Sequence, residues 1–199
     1  MFAGIAIVAM VIGIWSAQFM HNSHPAPVLG NGTLLQPPRP VPELQMLDSS
    51  GQAFTRQQLL GHWSVLFFGY TSCPDVCPTT LSLLAQVNKN LIELSVTQRP
   101  QFVFISIDPK RDTPAQMKNY VNFFDPGFIG LTGSQAQTDQ LTSSLGVPVV
   151  IQDLGNGNYS VDHAATLFLL DPQARMTAIF SPPHTLQTLS SDLRKIIQQ

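Results

Sequence analysis

Apolar and polar positions along this chain switch between two periods, and the switches mark its elements. Residues 63 to 69, WSVLFFG, form a continuous apolar run closed by glycine, the pattern of a strand buried on both faces. From 78 to 97 the spacing turns helical through Leu81, Leu84, Val87, Leu91 and Leu94. FVFISI, 102 to 107, then reads as a second buried strand. Strand, helix, strand predicts a right-handed parallel crossover. Upstream, ELQMLDSSGQAF reads as two short strands around a Ser-Ser-Gly turn, and TRQQLLG as a short helix from an N-cap Thr55 to Gly61. Downstream, DTPAQMKNYVNFF opens with Thr113 as N-cap and Pro114 at the first helical position, and SQAQTDQLTSSLG predicts a helix ending at Gly146. VPVVIQD, NYSV, ATLFLL and MTAIF follow as strands, and HTLQTLSSDLRKII as an amphipathic last helix.

A strand-helix-strand half, a hairpin half and a final helix are the order of an α/β, thioredoxin-like fold with a central mixed sheet flanked by helices. At the N-terminus, residues 2 to 20 carry no charge and at about 1.5 Å per residue reach roughly 30 Å. We therefore expect an N-terminal transmembrane helix over 1–20, an uncleaved anchor rather than a signal peptide with a small-x-small cleavage site. Residues 21–42 hold six of the sixteen prolines and no hydrophobic period, which predicts a tether. Residues 43–199 remain as one domain, long enough for a real core.

Composition narrows the partners. Ten Lys and Arg against twelve Asp and Glu give a formal charge of -2, with no basic field to gather phosphates, so nucleic acid is excluded as a partner class. The low charged fraction, 11%, against 44% hydrophobic residues agrees with a membrane segment.

The two cysteines of the chain lie in GYTSCPDVCPTTL, just past the end of the first buried strand. Ligands gather at the carboxyl ends of strands in α/β sheets. Cys73 and Cys77 are each followed by proline, Pro74 and Pro78. The residue before proline is pushed from helical dihedrals, which places Pro78 at the first helical position and Cys77 at the N-cap, where the helix dipole would favour its thiolate. A structural disulfide would close only a tiny loop. Functional thiols remain, as a redox pair, as a peroxidatic cysteine or as metal ligands. Two thiolates suit Cu(I), and an imidazole would complete the set. Of the five histidines, His21 and His24 fall in the tether, His62 precedes a strand and His184 precedes the last helix, whereas His163 stands at a strand start facing the cysteine loop. Asp162 beside it could fix its tautomer.

Four blocks in order, LFFGYTSCPDVCPTTL, FISIDPKRDTP, FDPGFIGLTG and VDHAATLFLLDP, make residues 40 to 198 resemble the Sco/SenC family of membrane-anchored copper-binding proteins. The resemblance implies a thioredoxin-like fold and copper, as Cu(I), Cu(II) or both, held by Cys73, Cys77 and His163. It also implies assembly of the dinuclear copper centre of cytochrome c oxidase. The expected partner is the copper-receiving oxidase subunit or another cuproprotein. The expected location is the bacterial inner membrane, single-pass, with the domain in the periplasm. Ser72 stands where the family often has histidine, a position that is not a family copper ligand. Asp75, Asp108, Arg111 and Asp112 fall in family motifs and read as shaping the loop. The alternative function is a thiol-disulfide oxidoreductase that keeps the partner's cysteines reduced through a reversible Cys73 to Cys77 disulfide.

Overall fold

The computed structural model describes residues 27–156 and 158–198. The strands are β1 (Gly32–Pro40), β2 (Gln45–Asp48), β3 (Ala53–Thr55), β4 (Ser64–Gly69), β5 (Gln101–Ser106), β6 (Ile129–Thr132), β7 (Val150–Gly155), β8 (Asn158–Asp162), β9 (Leu167–Leu170) and β10 (Arg175–Phe180). The α-helices are α1 (Val76–Glu93), α2 (Pro114–Phe124), α3 (Gln135–Leu145) and α4 (Leu186–Ile197), and a single 3-10 turn spans Arg56–Leu59. Eight strands form one mixed sheet in the order β1-β10-β9-β4-β5-β6-β2-β3, and β7 pairs with β8 in a separate hairpin. β4, β5 and β6 run parallel, while β9 lies antiparallel to β4. This is the thioredoxin-like arrangement that the element order predicts.

β4 sits at the centre and is buried along its length. Its period of two sorts its side chains: Val65 and Phe67 enter the core layer under α1, α2 and α4, and Leu66 and Phe68 the layer under α3 and β2–β3. The expected helix starts hold. Thr113 and Ser134 close capping boxes with Gln116 and Gln137, and Gly146 ends α3 in the left-handed region. The stretch expected as a helix after Thr55 is shorter, one 3-10 turn capped by Thr55.

Two segments differ from expectation. β6 is a four-residue strand carrying Gly130, too short and too glycine-rich to give a periodic signal. A Cβ on Gly130 would lie 3.2 Å from Val121 and 3.3 Å from Met117, so the glycine lets α2 close onto the sheet. The second is the expected tether, which does not run to Pro42. Gly32–Pro40 is an edge strand paired with β10, and an edge is where a sheet tolerates proline. Its anchor is remote in sequence. The buried Asp192 carboxylate on α4 accepts from the backbone N–H groups of Gly30, Asn31 and Gly32 at 2.8 to 3.1 Å. The Asn31 side chain donates to the carbonyls of Ser181 and Pro183.

Asp192→Ala strands three backbone donors and should lower unfolding free energy by about 3 kcal/mol, with β1 losing amide-exchange protection first. Denaturant unfolding with hydrogen exchange checks it. The expected transmembrane helix over 1–20 and the tether up to residue 26 lie outside the described residues. Among the described residues no helix is long and apolar enough to cross a membrane.

Candidate metal centre

The parallel strands end at one edge, and the chain leaving β4 there turns at once into the cysteine loop. The Cys73 N–H closes a turn onto the Tyr70 carbonyl at 3.2 Å. Helix α1 then begins two residues earlier than expected: Asp75 is the N-cap and Cys77 lies in the first turn with Pro78 after it. Proline is tolerated there because the first N–H groups of a helix have no intrahelical partner. Burial of the Cys77 side chain overrides the local bias against helix before proline. The Asp75 side chain caps no backbone N–H but accepts from the Thr79 hydroxyl at 3.4 Å. The unclaimed N–H of Cys77 points instead at Cys73 Sγ, 3.5 Å away.

His163 arrives from the other side, one residue past β8. Its Nε2 lies 3.2 Å from Cys77 Sγ, and its Nδ1 lies 3.2 Å from the Ala164 carbonyl. A carbonyl only accepts, so Nδ1 carries the proton and Nε2 is free to accept from the thiol or to bind a metal. Asp162 does not fix this tautomer as expected, since its carboxylate accepts from the Gln152 amide. The ring rests against Phe67 and Tyr70, with centroids 6.0 and 5.9 Å away. One possible ligand atom each from Cys73, Cys77 and His163 all lie within 4.8 Å of one another.

Both cysteines are free; Cys77 is fully buried and Cys73 half-buried. Cys73 borders a cleft of about 300 Å³ lined by Tyr70, Pro74, Asp75, Val76 and the strand from Ser160 to His163. Burial pushes the Cys77 thiol well above its ordinary pKa, so the expected helix-favoured thiolate is not the metal-free state. Burial also lowers the pKa of His163, which keeps the imidazole neutral. A protonated thiol donating to a neutral imidazole is the consistent resting arrangement. Because the Cys77 pKa is raised on folding, the stability it lends is complete below its unfolded value and lost above it. The metal-free chain should therefore lose unfolding free energy as pH climbs past about 8.5. Denaturant midpoints at rising pH check this, with Cys77→Ser expected to flatten the loss.

The surrounding loop residues act at a distance. Asp112, buried behind the cysteine loop, accepts from the Thr71 N–H at 3.1 Å, the Thr71 hydroxyl at 2.6 Å and the Ser106 hydroxyl at 2.6 Å. Asp108 accepts from the Tyr159 hydroxyl at 2.7 Å and pairs with Arg111. His184 donates from Nε2 to the Ala165 carbonyl at 2.6 Å, tying down the segment after His163. Sequence reasoning missed Tyr159, although the period of two along β8 sets it on the same side as Val161 and His163. It also missed Gly69, where a Cβ would stand 2.5 Å from Cys77 Sγ and 2.8 Å from the Phe104 ring.

A family model described as SCO1/SenC matches residues 34–198. A relative from Stutzerimonas stutzeri is 39% identical over 167 residues, covering 84% of this chain and 81% of its own. Among solved structures, Arabidopsis thaliana ScoI with copper bound aligns with a TM-score of 0.74 at 32% identity, covering 79% of this chain and 98% of its own. Bradyrhizobium japonicum ScoI with copper bound gives 0.70 at 36% identity, with 78% and 98% covered.

Proposed function

The chain belongs to the SCO1/SenC family, and from that premise we propose that it is a copper chaperone in which Cys73, Cys77 and His163 hold one copper ion. The observation that carries this reading is the convergence of two sulfurs and an imidazole nitrogen within 4.8 Å, brought from segments 86 residues apart. Two thiolates and a neutral imidazole are a soft donor set matched to Cu(I). Each thiol that binds gives up its proton, so apparent affinity rises with pH. Copper is cargo here. Of the two sulfurs, Cys73 faces the open cleft, so an incoming ligand from a partner displaces it before the buried Cys77.

The proposed recipient is the dinuclear copper site of cytochrome c oxidase or another cuproprotein. The proposed setting is a single-pass anchor over residues 1–20 in a bacterial inner membrane with the domain in the periplasm. Since Asp192 fixes the chain from Gly30 onward, the proposed tether shortens to residues 21–29. Nine residues at the polyproline rise of about 3.1 Å each would reach roughly 30 Å, so the proposed recipient site lies within that distance of the membrane.

The reductase reading has less support. A fully buried Cys77 with a raised pKa makes a poor attacking thiolate, and dithiol exchange has no use for the His163 imidazole.

His163→Ala separates the two. It should lower Cu(I) affinity by at least roughly 100-fold, the upper end of what loss of an outer-shell partner costs, and leave the Cys73 to Cys77 disulfide able to form. Chelator-competition titration and thiol counting measure both. Unchanged affinity would remove His163 from the ligand set.

A further inference from the structure

The two arms of the metal centre are laddered together only on the C-terminal side of His163. The cysteine loop follows β4, and β9, four residues past His163, pairs with β4, whereas the segment leading into His163 belongs to the separate β7–β8 hairpin. One short loop between β5 and α2 touches both. At its end, Asp112 holds Thr71 by backbone and side chain, two residues before Cys73. At its start, Asp108 accepts from the Tyr159 hydroxyl at 2.7 Å, and Tyr159 lies on β8 four residues before His163. Arg111 binds the same tyrosine twice: its guanidinium carbon lies 4.0 Å from the ring centroid, and Nη1 donates to the Tyr159 carbonyl at 3.3 Å. The Asp108 carboxylate also pairs with the Arg111 Nε, so acid, cation and ring form a closed triangle. The Arg111 guanidinium reaches Tyr70 as well, 5.5 Å from a ring that itself packs edge-on against His163.

We propose that Asp108, Arg111 and Tyr159 are positioning residues that clamp the hairpin onto the cysteine loop and so set whether His163 reaches the copper held by the two thiolates. This rests on the three-ligand reading and adds how its third ligand is controlled. A hydrogen bond to a carboxylate and a cation over an aromatic face are each modest but directional. Both grip Tyr159 rather than the histidine. Loosening the clamp therefore lets the hairpin withdraw the imidazole while both sulfurs keep the metal. A partner that draws the partly exposed Arg111 guanidinium away would thereby lower the coordination number of the copper before any sulfur is exchanged.

The test compares the parent chain with Tyr159→Phe, which removes one hydroxyl and keeps the ring. Asp108→Asn serves as a second variant, and each is also made in the His163→Ala background. Copper alone is loaded anaerobically. Its removal by a bathocuproine-type chelator is timed, sulfur and nitrogen ligation are counted by X-ray absorption, and thermal melts report the fold. Tyr159→Phe should release copper at least about tenfold faster, in the range typical for loss of an outer-shell partner, with a reduced nitrogen contribution and unchanged sulfur. In the His163→Ala background the same substitution should add nothing further, because it acts through the missing imidazole. Parental release and ligation in Tyr159→Phe would overturn the clamp. So would equal acceleration in both backgrounds, or a lowered melting point with unaltered ligation. A parent that binds copper without nitrogen would overturn the ligand set itself, an outcome distinct from all of these.

Discussion

Cys77→Ser is expected to abolish tight Cu(I) binding, lowering affinity by at least about 1,000-fold, beyond the 10- to 100-fold range of outer-shell losses. The substitution is close to isosteric, and the new hydroxyl sits where the buried thiol faces His163 Nε2 at 3.2 Å, so it keeps the imidazole as its hydrogen-bond acceptor and the domain stays folded. What changes is the donor: a hard hydroxyl oxygen, far more reluctant to ionise than a thiol, replaces one of the two soft sulfur ligands. Cys73 and His163 are left as two ligands of different arms with nothing buried between them. Anaerobic chelator competition beside circular dichroism checks this. A folded Cys77→Ser variant with parental affinity would show that the copper does not use this sulfur.

Gly69→Ala should also damage the site, about tenfold less severely, while leaving every ligand in the sequence. The last residue of β4 is fully buried, and its missing side chain is the space that Cys77 occupies. An added Cβ would stand 2.5 Å from Sγ, below any real contact, and 2.8 Å from Phe104. Phe104 is itself packed against Phe67 and Tyr120, with centroids 5.7 and 5.6 Å away, so the ring cannot swing aside and the thiol must move. Overpacking of this kind costs about 1 to 3 kcal/mol of stability. Displacing Sγ from its 3.2 Å approach to Nε2 separates the ligands as well. We expect a folded, less stable protein whose copper affinity falls by about 100-fold, read by thermal melts and Cu(I) titration. A melt lowered by that amount with copper affinity intact would mean that the loop relaxes without moving the sulfur.

The central strand and its cysteine loop were legible because a buried strand writes itself as an apolar run, and the reactive residues follow it directly in sequence. α2 and α3 were legible for a similar local reason, as Thr113 with Gln116 and Ser134 with Gln137 are self-contained capping boxes. What failed was whatever depends on remote partners. β1 is rich in proline and carries no period; it is a strand because β10 offers it an edge and Asp192 takes its entering N–H groups from 160 residues away. β6 hides behind Gly130. The start of α1 was misplaced by local proline rules, because burial of Cys77 against Gly69 outweighs them. At the site, the spacing of the cysteines and the position of His163 at a strand start pointed to three residues that the fold brings together. The Ala164 carbonyl that sets its tautomer, and the Asp108, Arg111 and Tyr159 triangle, are through-space relations with no pattern along the chain.

The central claim, that Cys73, Cys77 and His163 together hold one copper ion, is tested most directly by X-ray absorption at the copper edge on the full chain loaded anaerobically with Cu(I). The prediction is one copper per chain, bound by two sulfurs and one imidazole nitrogen. A spectrum fitted by sulfur alone, by nitrogen and oxygen alone, or by copper shared between two chains would contradict it.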